Sequence, residues 1–215
     1  MPADSTALVP LLHQQALRVR QVKEWGEILT GFEGRNRYQV VGDSGETLFY
    51  AGEVGSGFGL FLLRGFFKAK RPFTMELKSP GGATVLRLRR PWRFWLSRLD
   101  VEDGDGRPLG SVRQRFRFFT RGYDVVGPNG EELAHLRGPL FRPWTFVVEE
   151  GGREVGTIAK RWSGFGKELF TDADNFGVRF DGPTRDARLR PLVVAATFLI
   201  DFVHFEDKRG DGDKE

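Results

Sequence analysis

The sequence predicts a mainly β protein: a duplicated antiparallel barrel, closed on itself and filled by an apolar C-terminal helix. Three observations predict it. Short strand-like segments recur every 8–12 residues or so between Gln21 and Gly182, separated by glycine-containing turns and without a helical stripe. The chain also repeats itself, Tyr38-Gln-Val-Val-Gly-Asp-Ser-Gly-Glu returning as Tyr123-Asp-Val-Val-Gly-Pro-Asn-Gly-Glu and Arg71-Pro-Phe-Thr as Arg142-Pro-Trp-Thr. Finally, Leu192 to Phe205 reads LVVAATFLIDFVHF, the longest apolar run of the chain.

Taken in order, residues 1–12 read as a flexible leader, without the basic start and continuous apolar region of a signal peptide. One domain then extends over residues 13–206. Tyr38 to Val41 forms a strand into a Gly-Asp-Ser-Gly turn, and Glu46 to Ala51 returns. Val85 to Arg89 alternates apolar and basic residues, the period of a strand with one wet face. Ser111 to Phe119 does the same and places Arg113, Arg115 and Arg117 on one face. The repeat offsets are 85 and 71 residues, so the first copy holds roughly 14 extra residues, which fall on Val54–Lys70. Two such halves can close one sheet and abolish its edges.

A barrel of this size needs filling, and a helix over about 186–206 is the obvious plug. Its fourteen-residue apolar run spans about 21 Å, against about 30 Å for a bilayer core. It also carries Asp201, which is costly at bilayer depth. The helix is therefore expected inside protein, with Asp201 a structural clamp partnered by an inward arginine or by backbone donors. Residues 207–215, charged and free of apolar side chains, are expected to be disordered.

The chain has 20 Phe, 5 Trp and no cysteine, which excludes disulfides, thiolate metal sites, cysteine nucleophiles and S-acylation. Its net charge is +4, but no acid lies between Glu53 and Glu76, Glu76 and Asp100, or Asp105 and Asp124. So basic a middle suits acidic lipid head groups or nucleic acid. Only His13, His135 and His204 are present, without a nucleophile elbow, phosphate loop or metal-spaced histidine pair, so no catalytic residues are recognised and no enzyme is expected.

Several longer stretches resemble the phospholipid scramblase family, related in fold to the tubby C-terminal and LURP-one-related superfamily. They are Glu27-Ile-Leu-Thr-Gly-Phe-Glu, Asn36-Arg-Tyr, Arg71-Pro-Phe-Thr, Gly156-Thr-Ile-Ala-Lys-Arg-Trp, Glu168-Leu-Phe-Thr-Asp-Ala-Asp-Asn-Phe-Gly-Val and Phe198-Leu-Ile-Asp-Phe-Val-His-Phe-Glu. The resemblance implies roughly twelve antiparallel strands around a central helix. It also implies bidirectional, energy-independent movement of phospholipids between leaflets, with calcium as a possible cofactor. No other cofactor is expected from the residues, and the absence of a signal peptide and of a spanning segment leads to the expectation of a cytoplasmic, peripherally membrane-associated protein.

The family's usual cysteine cluster is replaced here by aromatic and basic residues. Phe58, Phe61, Leu62, Arg64, Phe66, Phe67, Lys68 and Lys70, with Trp92, Arg93, Trp95, Phe141 and Arg142, are the expected contacts with acidic phospholipids. If the repeat gathers these loops at one end of the barrel, they form a single rim. For Trp92 and Trp144, at strand starts, burial in the core is an equal expectation. The resemblance places a calcium loop at Asp172–Pro183, with Asp172 and Asp174 as ligands. Its twelfth position is Pro183, which offers no closing carboxylate, so the expected site is weak. A turn followed by inward Phe176, Val178 and Phe180 explains the same residues. The alternative function is a nucleic-acid-binding or protein-interaction module using the arginine-rich faces.

Overall fold

The computed structural model describes residues 6–22, 32, 37–55, 72–93, 95–116, 121–142, 144–160 and 175–204. A 3-10 turn (Thr6–Leu8) and a short helix α1 (Val9–His13) lead into the sheet. The strands are β1 (Ala16–Gln21), β2 (Arg37–Val41), β3 (Thr47–Glu53), β4 (Phe73–Lys78), β5 (Thr84–Arg90) and β6 (Arg98–Asp103). They continue as β7 (Pro108–Arg115), β8 (Arg121–Val126), β9 (Glu132–Gly138), β10 (Thr145–Glu150), β11 (Arg153–Lys160) and β12 (Asn175–Phe180), followed by helix α2 (Leu189–His204). Each strand pairs with its chain neighbours, and β1 closes the ring on β12, giving a closed barrel of twelve strands among the described residues. Every pairing is antiparallel.

Strict alternation turns one side chain in two toward the lumen. Along β4, Phe73, Met75 and Leu77 are buried while Thr74, Glu76 and Lys78 are only partly so. Inside the ring lies α2, buried from Leu189 to Phe202. Its side chains reach opposite walls: Phe198 meets Tyr38 of β2 edge-on, and His204 bonds Tyr123 of β8. A helix buried without a break from Leu189 to Phe202 needs a wall on every side, and the barrel supplies it.

Two boundaries differ from expectation. The leader is ordered from Thr6, because Leu8 and Leu11 pack into the core against the barrel mouth. The helix starts at Leu189 rather than near 186, because Asp186 turns the chain first, its carboxylate accepting the Arg188 N–H.

The repeat is visible in the geometry. Four hairpins turn identically, with Gly45, Gly82, Gly106 and Gly130 at φ 89, 86, 82 and 85°. Their amides close on Gly42, Ser79, Asp103 and Gly127, and a register shift flanks each turn. This is a turn with a left-handed residue at a bulge, where glycine carries no steric cost. Tyr38 and Tyr123, the landmarks of the two copies, stand on β2 and β8, six strands apart in the twelve-strand ring and therefore facing each other across the lumen.

Candidate functional site

In an up-and-down barrel, alternate connections fall at opposite ends. The turns after β2, β4, β6, β8 and β10 lie at one end, with the start of α2. Residues 91–93, 95–97, 139–142 and 144, the start of the β7–β8 connection at Phe116, and the end of α2 lie at the other. The large exposed apolar side chains divide the same way. Trp92, Trp95, Leu96, Phe116, Leu140, Phe141 and Trp144 are all at the second end, with Trp95 at 93 % and Phe141 at 96 % exposure. Val9, on α1, is the remaining exposed large apolar residue among those described. Arg93 and Arg142 are exposed beside these aromatics. Of the residues expected to meet lipid, the structure thus brings Trp92, Arg93, Trp95, Phe141 and Arg142 to one rim, and Trp92 and Trp144, about half exposed at 49 % and 42 %, are not among the buried core residues. Phe58, Phe61, Leu62, Arg64, Phe66, Phe67, Lys68 and Lys70 lie outside the described residues, as do Asp172 and Asp174. Glu53 and Phe73, the strand ends flanking the first group, are at the rim end.

A family model described as Scramblase matches residues 1–207. The chain belongs to the scramblase family. It is 31 % identical over 215 residues to Phospholipid scramblase 2 of Bos taurus, covering 94 % of this chain and 69 % of that protein. It is 30 % identical over 210 residues to Phospholipid scramblase 1 of Homo sapiens, covering 91 % and 62 %. With a phospholipid scramblase family protein of Schizosaccharomyces pombe it shares 30 % over 190 residues, covering 84 % and 49 %. This scramblase-family chain therefore spans between half and about two thirds of the length of these relatives. No solved structure matches it significantly.

Just beneath the rim, the barrel of this scramblase-family chain holds a polar layer around the end of α2. Asp201, 3 % exposed, accepts a hydrogen bond of 2.8 Å from the Tyr38 hydroxyl and lies 3.5 Å from Lys160 Nζ. Where an inward arginine or backbone donors are expected for Asp201, the described partners are a phenol and a lysine. One turn on, Tyr123 Oη and His204 Nε2 lie 2.8 Å apart. Burial, with nearby Arg121 adding to it, pulls the His204 ring down to about 4, so it is neutral at physiological pH. Burial also pushes the Tyr123 phenol well above its ordinary value, so it stays protonated. Arg90 points inward, donating to Ser97 Oγ at 2.8 Å and lying over the Phe73 ring. Sequence reasoning missed this layer except for Asp201 and His204, although the period-2 pattern does put Tyr38 and Tyr123 at equivalent inward positions.

The arginine faces of the strands are not open basic stripes. Arg87 meets Glu76 at 3.0 Å, Arg89 meets Glu102 at 3.7 Å and Arg115 meets Asp124 at 3.3 Å. Arg137 bridges Glu149 at 2.7 Å and Glu154 at 3.3 Å. In the remaining part of the expected calcium segment, Phe176, Val178 and Phe180 are buried inward residues. Among the described residues no group of three or more His, Asp or Glu could hold a metal ion. No helix described is long and apolar enough to cross a membrane.

Proposed function

We propose that the protein docks peripherally on acidic phospholipid membranes through the aromatic rim, and that phospholipid movement between leaflets, bidirectional and without an energy source, is the activity exercised there. One observation carries the docking: seven large apolar side chains exposed at a single end of the barrel, with Arg93 and Arg142 among them. A monomer in water gains nothing from such a patch. At a lipid interface, aromatic rings settle between head groups and acyl chains, and each nearby Lys or Arg adds about 1 kcal/mol on an anionic surface. The wall of the barrel supports peripheral docking rather than insertion, because its outward residues include the paired Arg87, Glu76, Arg137 and Glu149. A charge on a lipid-facing strand costs about 2–4 kcal/mol at the bilayer midplane. The relatives' names supply the reading of phospholipid movement. Phe58–Lys70 is proposed to join the rim, since its flanking strand ends are there; a calcium contribution through Asp172 and Asp174 is proposed as weak, for want of an acid at Pro183.

The cross-strand ion pairs favour lipid over nucleic acid, since they consume the arginines a phosphate backbone would need. The test is co-sedimentation with vesicles containing phosphatidylserine. W95E together with F141E should weaken binding by about 100-fold, two interfacial aromatics each contributing roughly 1.4 kcal/mol. Both side chains are almost wholly in solvent, so the fold should be unaffected. Unchanged vesicle binding would refute the rim. A fluorescent-lipid assay of leaflet exchange, with and without calcium, then tests movement separately: binding without exchange sinks that part alone.

A further inference from the structure

At the end opposite the rim, a cleft of about 840 Å³ opens between the start of β1, the end of β12 and the turn before α2. It is lined by Asp43, Arg179, Asp181, Arg185 and Arg190, among others. Its volume falls within the range of small-molecule sites. The charges in it do not balance. Asp43 is engaged with backbone, its two carboxylate oxygens accepting the Gln15 and Ala16 N–H groups at 2.8 and 2.7 Å. Asp181 pairs with Arg179 at 2.7 Å.

Arg185 and Arg190 are left without a carboxylate partner among the described residues. Arg185 is bound only through its backbone N–H, at 3.0 Å from Glu150 Oε1, and its side chain is exposed. Arg190 keeps 8 % exposure, and its guanidinium lies 4.4 Å from the Phe180 ring centroid. It donates to the carbonyls of Gln14 and Gly182, so a buried cation is met by two dipoles and a ring face. Buried charges in proteins are ordinarily paired, and removing one from water without a counter-charge is costly. Desolvation lowers the proton affinity of this guanidinium, and the Asp43 carboxylate across the cleft offsets only part of that. Three of its five N–H donors take no part in the two carbonyl bonds.

We infer that this cleft is a binding site for a small phosphate-bearing anion, with Arg190 as its pre-positioned floor and Arg185 as the exposed second cation. Guanidinium forks match phosphate oxygens in pairs, and an arginine already held by carbonyls and an aromatic face loses little freedom on binding. The volume exceeds a bare phosphate, which points to a phosphate ester whose polar remainder lies against Thr184 and Asp181. The site is independent of the membrane reading: it lies at the far end of the barrel and shares no residue with the rim.

The experiment is NMR titration of the full chain with inorganic phosphate and, separately, with glycerophosphoserine. Saturable shifts confined to residues 180–190 and the Arg190 Nε–H are expected. R185Q should weaken them at least about tenfold, the usual effect of losing one charge-assisted bond, while leaving the folded spectrum intact. A tighter response to glycerophosphoserine assigns the site to phosphate esters of the head-group kind; equal responses assign it to free phosphate. Absence of saturation at millimolar concentrations, or a response that survives R185Q, overturns the site.

Discussion

At one end of the barrel, chain reversals take place on Gly45, Gly82, Gly106 and Gly130, rimmed by Asp43, Asp105 and Glu131. At the other, the connections put Trp95 and Phe141 almost wholly into solvent. Both ends belong to the same twelve-strand ring and to the same duplicated unit. What differs is the length and content of alternate connections. An up-and-down topology sorts odd and even connections to opposite ends, so a sequence can specialise one end without touching the other. The tight end has its turns closed by glycine and, at two of them, by a local carboxylate: Asp103 accepts the Asp105 and Arg107 N–H groups and Glu131 the Asn129 N–H. The wide end carries apolar surface that no part of the described chain covers.

The helix shows the same asymmetry. Its start is held by Arg190 on backbone carbonyls and the Phe180 ring, and its end by Asp201 and His204 on tyrosines from opposite walls. The largest effect is expected at the second anchor. Asp201→Asn would leave Lys160, 11 % exposed, without the carboxylate 3.5 Å away. Breaking one side of a buried pair costs about 3–5 kcal/mol. Urea unfolding should show that loss, and Tyr38→Phe a smaller one of about 1 kcal/mol. If Asp201→Asn is neutral, the polar layer does not fix the helix and the contrast between its ends collapses.

Much of this fold was legible in the chain because its signals are local. The Gly-Asp-Ser-Gly and Gly-Pro-Asn-Gly turns, the period-2 strands and the run Leu192–Phe205 each announce themselves within a few residues. The scramblase resemblance agreed with them. What could not be read is what pairs across the sheet. Arg87 and Glu76 are eleven positions apart in sequence yet ion-paired on adjacent strands, so the arginine-rich segments look basic in one dimension and are largely neutralised in three. The cleft arginines were invisible for the same reason: Arg190 is the second residue of an apolar helix, and only the fold brings Gln14, Phe180 and Gly182 around it. The rim was half legible, its residue types plain and its assembly dependent on which end each loop reaches.

A second effect, intermediate in size, probes the helix end by pH. His204 has its ordinary value of 6.5 in the unfolded chain and about 4 in the fold. Between these values the unfolded state binds more protons, so stability is full above about pH 6.5 and is lost as pH falls toward 4. A shift of this size corresponds to roughly 3 kcal/mol at most, since one pKa unit is 1.36 kcal/mol, and partial exposure of the ring reduces it. His204→Gln should remove this component. Urea midpoints of wild type and variant, compared near neutrality and near pH 4.5 or so, should converge in slope if another group governs the acid limb instead.

The smallest effect tests the separation of the two ends. Gly130 has φ 85°, and a Cβ placed there meets nothing within 4 Å, so Gly130→Ala adds no clash and isolates the backbone cost. That cost is about 1–2 kcal/mol for an L-residue held in the left-handed region. The turn lies on the glycine end, far along the barrel axis from Trp95 and Phe141. Vesicle binding by the folded variant should therefore match the wild type, while its urea midpoint falls by the backbone cost alone. A variant that unfolds as expected yet also binds vesicles more weakly would show that the two ends communicate through the barrel. The tight turns would then belong to the membrane-binding device and could not be treated as scaffold.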